Sequence, residues 1–327
     1  MAKLNMVKAI NLALHQEMVK DKTVVLLGED VGVDGGVFRV SDGLQKEYGE
    51  ERVIDTPLAE SGIIGTAIGM ALAGLKPITE IQFSGFAHVG WAHLEGHASR
   101  YRSRTQGQRT VPMVIRMPYG GGVRALEHHS ESREAYYGHT PGLKCVIPSS
   151  PRNARALMLA AIRDPDPVVF MEPKRSYRAF REEVPDEEEI IPIGQPQIVQ
   201  EGEGLVIVSW GAMMRPTLEA VRLLKEKRGI DVAVVDLLTI NPINDNPIIE
   251  RVKQTGRCVI VQEAPRTMSV GSELVARIND KALDYLEAPV LRLSGFDVVT
   301  PYFGREHSYL PNPKRILAGM EDTLDRQ

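Results

Sequence analysis

The chain predicts an α/β protein of two domains, each built on a mostly parallel sheet covered by helices. Two observations carry this reading. Short apolar strand signals alternate with longer helical patterns, which is the order that yields a parallel sheet with helices on both faces. The alternation comes in two blocks, separated by the charged, proline-bearing stretch Arg181–Glu189, which reads as a linker. A length of 327 residues accommodates two domains of roughly 150 residues each.

An amphipathic helix opens the chain, with Val7, Ile10, Leu14 and Met18 on one face. Strand signals of the first block lie at Thr23–Leu27, Pro77–Phe83, Val111–Met117, Leu143–Ile147 and Val168–Met171. Helical patterns over 59–74, 86–104 and 151–163 separate several of them. The second block has strand signals at Leu205–Ser209, Val232–Asp236, Cys258–Gln262 and Val290–Leu293. Helices near 214–228, 246–254 and 270–285 lie between these. The expected domains are 1–180 and 197–327, with 181–196 as the linker.

Composition narrows the function classes. Hydrophobic residues at 43% and charged residues at 25% are ordinary for a soluble globular protein. A net charge of -4 gives no footprint for nucleic acid. Two distant cysteines, Cys145 and Cys258, exclude a disulfide framework and fit a reducing compartment. The longest apolar run, 62–75, is too short for a bilayer, which needs about 20 residues. No secretory signal opens the chain, so a cytoplasmic protein is expected, or a mitochondrial-matrix one if the source is eukaryotic.

In parallel sheets, ligands bind at the carboxyl ends of the strands, and Glu29 stands just after the first strand. Asp55-Thr-Pro-Leu-Ala-Glu-Ser-Gly62 places Glu60 at the entry to an apolar, glycine-rich helix. Burial there raises a carboxyl pKa and makes a proton donor near neutral pH. A plain helix-capping acid explains the same position, and the local sequence does not choose between them. Gly120-Gly121-Gly122 lacks the context of a phosphate-binding loop and reads as a tight turn. His93 and His97 share a helix face, but Leu94 stands where a zinc protease needs glutamate, so a structural or interface role is preferred. His128-His129-Ser130, in a loop after the glycines, reads equally well as functional or as solvated. Gly65 and Gly69, four apart, permit close approach of another backbone, within the domain or across a subunit interface.

In order and spacing, several segments together resemble one family along essentially the whole chain. They are Leu27-Gly-Glu-Asp-Val-Gly32, Gly36-Val-Phe38, Asp55–Gly62, Glu80-Ile-Gln-Phe83, Gly120-Gly-Gly-Val123, His129-Ser130, Pro141-Gly-Leu143 and Ala161-Ile-Arg-Asp-Pro-Asp-Pro167. The chain resembles the beta subunit of the thiamine-diphosphate-dependent, decarboxylating component of 2-oxo acid dehydrogenase complexes. The resemblance implies a transketolase-like pyrimidine-binding domain followed by a transketolase C-terminal domain. It gives Glu60 the task of hydrogen-bonding ring nitrogen 1′ of the cofactor's aminopyrimidine, which promotes proton removal from carbon 2 of the thiazolium. It makes Glu29 a buttress of that site, Leu58 a backbone and apolar contact to the pyrimidine, and Phe86 the ring stacked on it. His129 becomes the loop histidine that assists acyl transfer to a lipoyl thiol. Met113, Ala161, Ile162, Asp164 and Asp166 occupy the places of a potassium site held largely by backbone oxygens, and oxygen ligation suits a hard cation.

The Gly-Asp-Gly and Asn pair that hold magnesium and diphosphate in thiamine-diphosphate enzymes do not occur in this chain. An alpha subunit is therefore expected to hold the Mg²⁺ and share the cofactor, in an α2β2 heterotetramer. The resemblance further implies a lipoyl acyltransferase partner, docked through its subunit-binding domain, and a small 2-oxo acid substrate. His128–Ala135 and Glu172–Arg178 look like branched-chain members, so 2-oxoisovalerate is the expected substrate. Leu58–Gly62 and Tyr137–Gly142 look as much like pyruvate members, which keeps pyruvate dehydrogenase as the alternative, beside acetoin dehydrogenase. A non-catalytic scaffold subunit and a transketolase-type carboligase are the other readings.

Overall fold

The structure is a computed structural model that describes residues 2–326. It divides into two compact units. The first contains the chain up to Tyr119 and Tyr136–Ile193; the second contains Gly120–Ala135 and everything from Gly194 on.

The first unit carries β1 (Ala2–Leu4), β2 (Val24–Gly28), β3 (Val53–Asp55), β4 (Lys76–Glu80), β5 (Val114–Tyr119), β6 (Lys144–Val146), β7 (Val168–Pro173) and β8 (Glu182–Val184). Six of them form a parallel sheet in the order β6-β7-β5-β4-β2-β3. Every residue of β2, β5 and β7 is buried, as expected of strands covered on both faces. Helices Met6–Lys20 and Pro151–Arg163 pack on one another. Arg163 ties them together, donating to Glu17 from Nε at 3.0 Å and from Nη2 at 2.5 Å. The second helix begins where Ser150 and Asn153 satisfy each other's backbone N–H and Pro151 presets φ.

The second unit carries β9 (Gln197–Gln200), β10 (Leu205–Ser209), β11 (Val232–Asp236), β12 (Thr239–Asn241), β13 (Cys258–Val261) and β14 (Leu291–Leu293). Five of them form a sheet in the order β14-β13-β10-β11-β9, parallel except for the edge strand β9. Leu205, Ile207, Val234 and Val259 from the sheet meet Leu224, Ile316 and Met320 from the covering helices in one core.

The expected alternation is present, with local corrections. The helical pattern over 86–104 is four pieces: Phe86–Gly90, Trp91–Gly96, Ala98–Arg100 and Tyr101–Arg104. The chain breaks at His97, whose φ of -126° leaves the helical region, just after Gly96. Part of the 181–196 segment is the strand β8, which pairs antiparallel with β1. The three-residue β3 and the largely exposed β9 carry too little apolar pattern to have been expected. Among the described residues, no helix is long and apolar enough to cross a membrane.

Candidate active site

Parallel pairing of β2 and β3 sets Gly28 opposite Asp55, so both loops leave the same end of the sheet. Asp55 then ties the loops together. Its carboxylate accepts the Gly32 N–H at 2.6 Å and the Val33 N–H at 3.3 Å. Gly32 permits this approach, because a Cβ there would lie 2.5 Å from Asp55 Oδ2. Glu29 follows β2 and is buried, and its Oε1 has no hydrogen-bond partner among the described residues. Burial, then the nearby charge of Glu60, then that of Asp30, hold the Glu29 carboxyl above its ordinary value. The structure therefore brings Glu29 and Glu60 together.

Glu60 is the first residue of helix Glu60–Leu72 and is 9% exposed. Ala59 occupies the cap position without a side-chain hydrogen bond, so the charge of Glu60 lies at the positive end of the helix dipole. The helix rests on the segment Phe86–Gly90, which carries the half-buried Phe86. Gly90 makes this packing close: a Cβ there would meet Ile64 Cδ1 at 2.4 Å and the Glu60 carbonyl at 3.3 Å. Phe83 stands between Phe38 and Phe86, edge-on to both at 5.6 and 5.4 Å. Leu58, two residues before Glu60, is 80% exposed, an apolar side chain left uncovered.

A buried ionic network lies beneath these loops. Arg116 donates to Glu172 Oε1 at 2.7 Å and Oε2 at 2.8 Å, and also to Glu80. Burial first, offset by Arg116 and reinforced by Glu172, raises the Glu80 carboxyl. Gly28 and Gly36 both lie against Glu80, with virtual Cβ positions 2.7 Å from its carbonyl and 2.8 Å from its Oε1. The network is thus a floor for the Glu29 loop. Arg116, a charge inside the apolar run Val114–Met117, was its visible signal in the sequence.

His129 ends the short helix Glu127–His129 in the second unit and is half buried. The Asp164 carboxylate accepts Lys144 Nζ at 2.7 Å on both oxygens, and Asp166 accepts Arg102 Nε at 2.7 Å. The Met113 carbonyl accepts the Val168 N–H at 3.0 Å and the Ala161 carbonyl accepts that of Asp164 at 3.3 Å. Ile162, like Ala161 and Met113, is buried. His93 stacks on His97 at 6.0 Å and meets Ser61 Oγ at 3.0 Å. Gly65 faces the His93 ring, whereas nothing among the described residues stands within 4 Å of a Cβ at Gly69. Among the described residues, no group of three His, Cys, Asp or Glu side chains is placed to hold a metal ion.

Sequence reasoning missed three acids of the second unit. Glu134 is buried, accepts the Trp210 Nε1–H at 3.3 Å, and is pushed up to about 7, chiefly by burial. Glu263 and Glu306 are buried against the Gly120–Gly122 turn. Acids scattered over distant segments leave no spacing pattern to read.

Comparison with known proteins places the chain in a family. Residues 2–179 match the family model of the transketolase pyrimidine binding domain, and residues 194–316 match that of the transketolase C-terminal domain. The pyruvate dehydrogenase E1 component subunit beta of Acholeplasma laidlawii is 52% identical over 318 residues, 97% of each chain. That of Bacillus subtilis is 47% identical over 325 residues, 99% of this chain and 100% of its own. The chain belongs to the E1 beta-subunit family of 2-oxo acid dehydrogenases. It is therefore a component of a thiamine-diphosphate-dependent enzyme. A solved "Split gene transketolase, inactive beta4 tetramer" superposes with a TM-score of 0.80 over 99% of each chain at 21% identity, which shows the shared fold.

Proposed function

We propose that this E1 beta subunit serves a pyruvate dehydrogenase, rather than the branched-chain enzyme that the sequence suggested. The observation that carries this reading is the near-full-length identity to several proteins named for pyruvate. The segments that suggested branched-chain substrates do structural work here. Glu172 and Tyr177 belong to the buried Arg116 network, and Glu134 is held by Trp210.

The residues present fit the aminopyrimidine end of thiamine diphosphate. A buried acid at a helix start, a second acid with an oxygen lacking a partner, an exposed leucine and an aromatic ring suit an aromatic base with ring nitrogens. Glu60 would hold a proton at ring nitrogen 1′. Glu29, whose own carboxyl is held above its ordinary value, would stand beside it. Leu58 and Phe86 would cover the ring and exclude water. When bound, the cofactor supplies an electron sink for the decarboxylation. His129 assists transfer of the acyl group to a lipoyl thiol carried by the acyltransferase partner.

The diphosphate and its Mg²⁺ need oxygen ligands, which no group of three His, Cys, Asp or Glu side chains supplies among the described residues. They are assigned to an alpha subunit in an α2β2 assembly. By sequence we assign 1–180 to the pyrimidine-binding half and 197–327 to the C-terminal half, with 181–196 between them, although Gly120–Ala135 is grouped with the second compact unit and 181–193 with the first. Potassium binding near Met113, Ala161 and Ile162 would rest on main-chain oxygens, because Lys144 and Arg102 already neutralise Asp164 and Asp166. The bacterial relatives favour a cytoplasmic location.

Two measurements on the reconstituted complex test this. Glu60→Gln is expected to lower turnover by about 10²-fold or more, since a positioned proton partner contributes about 10²–10⁴-fold. Near-normal turnover would return the scaffold reading. The ratio of kcat/KM for pyruvate over 2-oxoisovalerate is expected to exceed one, and the reverse preference would restore the branched-chain assignment.

A further inference from the structure

The loop Gly120–Ala135, which carries His129, is held by acids that the proposed chemistry does not use. Gly121 donates its N–H to Glu263 Oε1. Gly122 donates to Glu306 Oε1 at 2.6 Å, and Arg124 donates to Glu306 Oε2 at 3.2 Å. Glu263 follows β13, at the carboxyl end of the sheet, and Glu306 opens the short helix Glu306–Tyr309. Both are at most 4% exposed. Two carboxylates side by side repel one another, and main-chain N–H donors are what stabilise such a pair.

The turn is shaped for this contact. Gly120 and Gly122 have φ of +86° and +88°, and Arg124 has +60°. A Cβ at Gly120 would come 2.8 Å from Glu263 Oε1, and one at Gly121 would come 3.0 Å from Glu306 Oε1. The triple glycine is thus a surface that two acids can reach. Other contacts hold the rest of the loop. Gly120 donates to the Glu131 carbonyl at 3.1 Å, and Trp210 holds Glu134.

We infer that Glu306 and Glu263 are positioning residues that fix the backbone of the His129 loop, and through it the acyl-transfer step. The inference rests on the reading of His129 given above. It calls for a split between steps. Decarboxylation measured with an artificial electron acceptor does not need the loop histidine, whereas acylation of a lipoyl domain does. Glu306→Gln keeps the size of the side chain but turns one oxygen into an N–H donor facing another N–H. In the complex reconstituted with its alpha subunit, the ratio of lipoyl acylation to decarboxylation is expected to fall about tenfold, the effect of losing one charge-assisted hydrogen bond. Trypsin is expected to cut after Arg124, an exposed residue of the same loop, about tenfold faster. Glu263→Gln should act in the same direction and serves if Glu306→Gln does not fold. His129→Ala is measured in parallel. If it lowers the ratio while both glutamine variants leave it unchanged, the inference is overturned. Unchanged cleavage in both variants also overturns it, whatever the ratio does. If His129→Ala leaves the ratio unchanged, the reading of His129 fails, and the cleavage rates alone decide whether the two acids hold the loop.

Discussion

Glu134→Gln tests whether burial has made an acid of the second unit titrate near neutral pH. Glu134 is 1% exposed, its Oε1 accepts the Trp210 N–H, and its Oε2 has no partner among the described residues. Burial, with the charge of Glu263 adding to it, pushes the carboxyl from 4.5 up to about 7. Between those two values the folded protein holds a proton that the unfolded chain has lost. Stability is therefore fully present below the unfolded value and drains as pH rises through the folded one. At about 1.4 kcal/mol per pH unit the difference amounts to about 3 kcal/mol. Glutamine keeps the shape and the acceptor for Trp210 but does not titrate. Urea unfolding of wild type and variant, compared at each pH, cancels the groups they share. The variant should gain about 3 kcal/mol relative to wild type between about pH 5 and about pH 8. A difference that does not change with pH would refute the reasoning.

Other perturbations follow from the same geometry. Gly90→Ala forces a methyl toward Ile64 and the Glu60 carbonyl, so a stability loss of about 1 kcal/mol and a larger loss of turnover are expected; intact turnover would separate Glu60 from that packing. Arg116→Met leaves Glu80 and Glu172 as uncompensated buried acids, at a cost of about 3–5 kcal/mol near neutral pH. That cost should shrink in acid, where the raised Glu80 carboxyl takes up a proton; melting temperatures of variant and wild type across pH would show it. Cys145 and Cys258 are both buried, and burial pushes the Cys258 thiol up to about 12. A thiol reagent should find neither until the chain unfolds, and rapid labelling of the native protein would contradict their burial.

What was legible in the sequence depended on whether a residue's role is local. The alternation of strands and helices reflects burial on both faces of parallel sheets, and it survives in β2, β4, β5 and β7 almost as read. The helix after Glu60 was legible for the same reason, because its apolar residues Ile63, Ile64, Ala67 and Ile68 repeat at helical spacing. The helix expected over 86–104 was not one helix, since composition there is helical while Gly90 and Gly96 are placed for contact and for a break. β3 has three residues, and its edge position follows from pairing with β2 rather than from its own pattern.

The candidate site divides in the same way. Glu60 and Glu29 could be singled out because each sits at the end of a readable element. Glu80, Arg116 and Glu172 come from three different strands, and only parallel register makes them neighbours. Glu263 and Glu306 are more distant still, over 140 residues along the chain from the glycines they bind. The sequence shows why three glycines make a tight turn but not that the turn faces two acids. Charge placed by tertiary contact is also what sets the Glu29 carboxyl, whose raised value depends first on burial and then on Glu60. A motif of eight residues can therefore mark the acid that would meet a cofactor. The groups that tune it and position its surroundings come from the fold, and for them the test is the paired variant rather than the pattern.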